Sequence, residues 1–218
     1  MGEIKMITLN TREDWLANRH KGIGGSDIAS VLGRNPYMSN VELWEAKTGR
    51  TERPDISDKP FVKYGHDAEE HLRALFALDF PDYTVNYEEN NSWTNSDYPW
   101  AVASLDGWLT DATGRRGVLE IKTTELLNSM HKEKWDHRIP DNYYCQVLLY
   151  MAVIEADFAC LKAQLKSNIH GDIYLQTKHY WIERSEVQED IDYIMARGAG
   201  FWRYVETDTM PPLILPEI

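Results

Sequence analysis

Cysteine is scarce in this chain: only Cys145 and Cys160 occur among 218 residues. Two isolated thiols cannot build a disulfide framework or a four-cysteine metal cluster. Long apolar runs are missing too. None reaches the roughly 18 residues that a membrane-spanning helix requires, and the opening MGEIKMITLN lacks a charged stretch followed by an apolar one. A soluble, cytoplasmic protein with no membrane partner is expected. Positive charge is also in short supply, with 23 Lys and Arg against 35 Asp and Glu and a net charge of −12. That balance argues against general nucleic-acid binding through a basic surface. It does not exclude a site built on divalent cations, which call for clustered carboxylates and invert the local field.

What is present describes a folded protein. Hydrophobic residues make up 43% and aromatics 11%, enough for a substantial core in one domain over residues 1–218. TREDW begins with Thr11 and has Asp14 three residues on, a capping box for a short helix. GIGGSDIASVLG places Ser26 and Asp27 at a helix start and Gly33 at its end. SNVELWEAKTG repeats this grammar, with Ser39 and Glu42 as the box and Gly49 as the stop. The polar RTERPDISDKP reads as a loop. From about Gly65, GHDAEEHLRALFAL is helical, with Leu72, Leu75 and Phe76 on its apolar side.

Strand signals follow in YTVNYEE, AVASLDGWLT and GVLEIKTT, the last two joined by the turn-rich DATGRR. DNYYCQVLLYMAVIEA is an apolar helix. FACLKAQLK and IYLQTKHYWIE are strands, and Ser185 with Gln188 caps a final amphipathic helix to about Tyr204. The prolines of TMPPLILPEI predict an extended tail. The expected fold class is α/β, a central mixed β-sheet flanked by helices.

The chemistry concentrates in VLEIKTTE. Alternate residues of a strand share a face, so Leu119 and Ile121 point one way and Glu120 and Lys122 the other. Alone, such a pair reads as a surface ion pair. Asp106, at the end of the strand AVASLD, changes that reading, because the hairpin brings it beside Glu120 and Lys122. Two carboxylates and an amine then share one sheet edge. Hard cations such as Mg²⁺ are held by one or two carboxylates plus waters and substrate phosphates. A lysine beside them can orient the attacking water and offset charge on the phosphate.

D-(x)n-E-x-K across a hairpin resembles the core of the PD-(D/E)XK nuclease superfamily, with Leu105 where the proline would stand. The stretch RHKGIGGSDIASVLGRNPYMSNVELWEAKTG resembles the YqaJ-like viral recombinase family, to which the lambda-type phage exonucleases are related. GHDAEE, SLDG, LEIKT and YYCQVLLYM follow in that family's order, so the likeness covers about residues 12 to 155. The resemblance implies a Mg²⁺-dependent, processive 5′→3′ exonuclease on double-stranded DNA ends, with two ions and Mn²⁺ able to substitute. It also implies a single-strand annealing protein as partner and a homotrimer ring, in a bacterial or phage-infected cell. Asp106, Glu120 and Glu69 match the family's metal-binding acids, with the Ile121 carbonyl as a further ligand, and Lys122 matches the catalytic lysine. Gln146 and Tyr150 resemble a Q-x-x-x-Y helix motif beside the active site. Arg19 and Ser26 match residues that hold the terminal 5′ phosphate. The hairpin between Asp106 and Glu120 is longer than in the lambda-type enzyme, which leaves its tip, Thr113 to Arg116, for another purpose.

From spacing alone, Ser26 also reads as a helix cap, Arg19 as a surface residue and Gln146 as a buried amide. His66 and His71 are five residues apart and fall on different helix faces, so they read as solvated histidines, not zinc ligands. GIGG lacks the Gly-Lys-Ser/Thr of a nucleotide loop. Most of the eight tryptophans read as core. Two other functions fit the same residues: a sequence-specific endonuclease with the same metal core, and a non-catalytic DNA-end-binding protein.

Overall fold

The computed structural model describes residues 2–215. The chain opens with β1 (Ile4–Thr8), α1 (Arg12–His20), α2 (Gly25–Val31), α3 (Asn40–Lys47) and α4 (Pro60–Asp79). Next come β2 (Thr84–Asn86), β3 (Asn91–Asn95), β4 (Gly107–Thr110), β5 (Arg116–Glu125) and α5 (Ser129–Glu133). It closes with α6 (Asp141–Val153), β6 (Phe158–Ile169), β7 (Asp172–Glu183) and α7 (Arg184–Glu206). Five strands form a mixed sheet in the order β2-β4-β5-β6-β7, and β1 pairs with β3 in a separate ribbon. Only β5 and β6 run parallel within the five-stranded sheet. A parallel pair needs a crossover, and α6 supplies it.

Both faces of β5 are covered. On one side Leu119 and Ile121 pack with Leu72 and Phe76 of α4, joined by Leu109, Phe158 and Cys160. On the other side lies the larger core, which joins α2, α6 and α7 through residues such as Ile28, Leu148, Met151 and Ile194. The expected α/β class, a mixed sheet between helices, is the one observed.

Local expectations hold where a cap or turn carries the signal. Thr11 caps α1 by accepting from the Asp14 N–H, and Ser39 and Glu42 form the reciprocal box at α3. Gly33 and Gly49 adopt the positive φ that ends α2 and α3. The differences are instructive. The helix expected from Gly65 begins at Pro60, whose fixed φ suits the first turn. Leu75, placed on its apolar side, is 48% exposed, because the buried face of α4 runs through Leu72 and Phe76. Ser185 does not cap α7, whose cap position lies two residues earlier, at Glu183.

AVASLD is not a regular strand. Ala101 and Ala103 make isolated bridges to Ile23 and Trp93, and the ladder starts only at Gly107. The Asn91 side chain takes the place of a strand partner there, bonding both the N–H and the C=O of Leu105. Asp106 therefore sits just before β4, not at the end of a strand. The ribbon strand β3 escaped notice because its buried residues include Asn91, Ser92 and Asn95, which carry no apolar alternation. Of the expected extended tail, residues 216–218 lie outside the described residues.

Candidate active site

Glu120 lies on the α6 side of β5 and is 1% exposed, so the solvated-face reading of the E-x-K pair fails. Its Oε1 meets Lys122 Nζ at 2.6 Å and accepts from Gln146 Nε2 at 2.7 Å. Gln146 also reaches the Tyr150 hydroxyl one helical turn away, at 3.1 Å. The sequence therefore places Glu120, Lys122, Gln146 and Tyr150 in one connected cluster. Oε2 of Glu120 is buried and finds no donor among the described residues. Such an orphan is costly in a folded protein unless a ligand completes it.

Asp106 joins from the start of β4, its Oδ2 accepting from the Ile121 N–H at 2.8 Å. The Ile121 amide thus orients Asp106, a role separate from the metal ligation expected of its carbonyl. Glu69 approaches from α4, and its charge and that of Asp106 interact. Arg73, one turn after Glu69, was not singled out by the sequence. Its guanidinium bonds the main-chain oxygen of Asp106 and lies 3.5 Å from the centre of the Tyr87 ring. Asp106 is thus held at its backbone by α4 and at its carboxylate by β5.

The electrostatics are those of carboxylates buried close together. Burial, then repulsion from Asp106, pushes the Glu69 carboxyl up to about 7. The same two causes push Glu120 up to about 8, against the pull of Lys122. Burial also raises Asp106, against Lys122 and the Ile121 amide. For Lys122 desolvation works downward, but the charges of Glu120 and Asp106 outweigh it and its pKa rises. A simple ion pair would lower Glu120, so burial, helped by the neighbouring Asp106 charge, wins over pairing on the carboxylate side. Among the described residues no three His, Cys, Asp or Glu side chains stand in a ready-made metal arrangement. The donor set nonetheless suits a hard cation. It consists of oxygen donors only, one of them a buried orphan, in mutual repulsion that a cation would relieve.

A second group forms around the glycine-rich turn. Arg19 Nη2 donates to the Ser26 hydroxyl at 2.8 Å, so the two residues predicted to act together do meet. Ser26 is not the helix cap. Gly24 holds that position, and its N–H is bonded by the Asp27 carboxylate at 3.1 Å. Two turns of helix give little macrodipole, so any case for an anion here rests on the Arg19–Ser26 pair. Gly25 is needed for the site to close. A Cβ there would lie 2.6 Å from both Gln146 Cγ and Tyr150 Cε1, so α2 rides directly on α6.

Sequence reasoning missed what holds this turn. Lys47 and Asp27, 2% and 3% exposed, pair at 2.8 Å. Lys47 also donates to the carbonyls of Arg19 and Gly22. Arg53 takes the other Asp27 oxygen at 2.8 Å. Burial works against the Asp27 carboxylate, yet Lys47 and Arg53 hold it down to about 2. Spacings of 20 and 26 residues between these partners leave no local motif to find.

Glu69 and Asp106 open onto a cleft of about 940 Å³, lined also by Arg73, Tyr87 and Lys122, with Arg12, Trp15 and Phe61 among its walls, while Glu120 stays buried behind it. His66 and His71 line it as well, but both are exposed, as expected of solvated helix residues. The long hairpin tip is tied elsewhere. Asp111 bonds Thr113 and Arg115, and Arg115 pairs with Glu183 at 2.9 Å. No helix among the described residues is long and apolar enough to cross a membrane.

The model of the YqaJ-like viral recombinase domain matches residues 14–157. Uncharacterized protein YqaJ of Bacillus subtilis (strain 168) is 30% identical over 192 residues, covering 88% of this chain and 56% of its own length. The chain thus spans just over half of that relative. Among solved structures, an alkaline exonuclease from Laribacter hongkongensis superposes with a TM-score of 0.60 at 17% identity, over 90% of this chain and 93% of that one. A phage related exonuclease from Haemophilus somnus 129PT gives 0.55 at 11% identity, over 86% and 96%. At these identities the structures share the fold.

Proposed function

Because the chain belongs to the YqaJ-like viral recombinase family, we propose that it is a metal-dependent exonuclease. It digests one strand of duplex DNA from the 5′ end and leaves a 3′ single-stranded overhang for an annealing protein. The observation that carries this reading is the buried Glu120–Lys122 pair, 2.6 Å apart, beside Asp106 and Glu69 at a cleft. Two solved structures of this fold are named as exonucleases, which agrees with the reading.

Asp106, Glu120, Glu69 and the Ile121 carbonyl would hold Mg²⁺, as two ions, with Mn²⁺ able to replace it. The bound metal supplies Lewis-acid polarisation of the phosphate and a more acidic water. Gln146 fixes Glu120 by one oxygen and leaves the buried Oε2 without a donor among the described residues, while Tyr150 fixes Gln146. Lys122, kept protonated by its acidic neighbours, serves as a cation and not as a base. It orients the attacking water and offsets charge that develops on the phosphate. Arg19 and Ser26 would bind the terminal 5′ phosphate. Each cut exposes a new 5′ phosphate, so the same pair draws the strand forward.

The test compares linear duplex with covalently closed circular duplex in Mg²⁺, with a chelator control. Loss of the linear DNA alone, abolished by chelation, is expected. Cutting of the circle would point to an endonuclease. Binding to ends without cutting would point to a non-catalytic end binder.

A further inference from the structure

The Arg19–Ser26 pair has a neighbour whose donors are not all used. Arg53 spends one nitrogen on Asp27, and its Nε–H is buried with no acceptor among the described residues. Its side chain remains 30% exposed. Gly24 shows how closely these groups converge. A Cβ there would lie 3.6 Å from Asp27 Oδ2, 3.7 Å from Arg19 Nη2 and 3.8 Å from Arg19 Nε. Asp27 pairs with Arg53 through Oδ1 and with Lys47 through Oδ2, and Arg19 lies close enough for its charge to act on the same carboxylate. Three cations and one carboxylate leave this cluster with two unmatched positive charges, in a protein whose overall charge is −12.

A charge of that size asks for a particular anion. An internal phosphodiester carries one negative charge, whereas a phosphomonoester approaches two at pH 7. We infer that Arg53 is a specificity-determining residue that, with Arg19 and Ser26, selects the terminal phosphomonoester of a DNA end over internal diesters and over a 5′-hydroxyl. The inference rests on the 5′-phosphate reading above and adds the residue that makes it selective. Asp27 anchors Arg53 through the ion pair at 2.8 Å. Lys47 contributes through its charge and through the carbonyls it holds, since it is too buried to touch DNA.

The test is equilibrium binding of short blunt duplexes with 5′-phosphate or 5′-hydroxyl ends, in the presence of a chelator so that nothing is cut. The wild-type protein is expected to favour the phosphorylated end. Arg53→Met is expected to weaken that end about ten- to a hundredfold, the range of a charge-assisted contact, and to leave the hydroxyl end unchanged. Arg53→Lys keeps the charge without the planar fork and is expected to fall between. If Arg53→Met and Arg53→Lys both retain the wild-type preference, or lose affinity equally for both ends, Arg53 only supports the turn and the inference fails. No preference in the wild-type protein would overturn the 5′-phosphate pocket itself.

Discussion

Glu120 is held by two donors on one oxygen and by none on the other, and that asymmetry sets the predictions for single residues. Glu120→Gln keeps the shape but removes the charge that would hold a cation. Cleavage is expected to disappear while duplex binding persists, which a mobility-shift assay beside a digestion assay would show. Lys122→Ala removes a preorganised cation and should lower kcat about 10²- to 10³-fold while Mn²⁺ still binds. Arg73→Met releases the Asp106 backbone and should weaken Mn²⁺ binding roughly 10- to 100-fold, as loss of a group that orients a ligand usually does. The pH dependence follows from the raised carboxyls. In the metal-free protein Glu69 and Glu120 titrate near 7 and 8 instead of 4.5, so the folded state binds the extra protons. Folding stability should therefore fall as pH rises from about 4.5 through 8, and cation binding should release protons. Calorimetry in two buffers of different ionisation enthalpy should show Mg²⁺ affinity rising from pH 6 to 8, with a larger gain in Tm at pH 8. A flat profile would mean that these carboxylates do not hold the ion. Glu120 and Lys122 were legible because a two-residue spacing on a strand fixes a shared face, and Asp106 because a hairpin joins its segment to that strand. Arg73, Lys47 and Arg53 were not, because each acts through a contact distant in sequence or on a backbone atom.

Elements bring the two halves of the site together, and α2 on α6 is the critical joint. Gly25→Ala would force a methyl group within 2.6 Å of Gln146 and Tyr150. Overpacking of this kind costs about 1–3 kcal/mol, and each kcal/mol shifts Tm by roughly 2–4 °C in a chain of this size. The variant should melt lower, and its activity should fall further than the melting shift explains, since Gln146 is displaced. A Gly25→Ala protein with wild-type melting and turnover would contradict the packing. Helices with capping boxes and the hairpin around Asp111 could be read from sequence, because caps and turns are local chemistry. The segment Ala101–Leu105 could not. Its apolar run resembles a strand, but its partners are single bridges to Ile23 and Trp93 and the Asn91 side chain at Leu105, which leave no periodicity.

At the scale of the whole molecule, the net charge of −12 must be reconciled with the polyanionic substrate proposed above. Affinity for DNA depends on phosphate neutralisation, which an isolated acidic monomer does poorly. We propose a homotrimer ring that gathers scattered basic residues around the duplex. Light scattering at micromolar concentration should give three times the mass of the 25.3 kDa chain. A strict monomer that still degraded kilobases per encounter would remove this part of the account. The central claim is directional, metal-dependent digestion from a 5′ end, and the most direct measurement labels the two ends of one strand of a linear duplex separately. With Mg²⁺, the 5′ label should be released first and as mononucleotide, while the 3′ label stays in long strands until late. Early release of the 3′ label, or internal fragments from both, would contradict it.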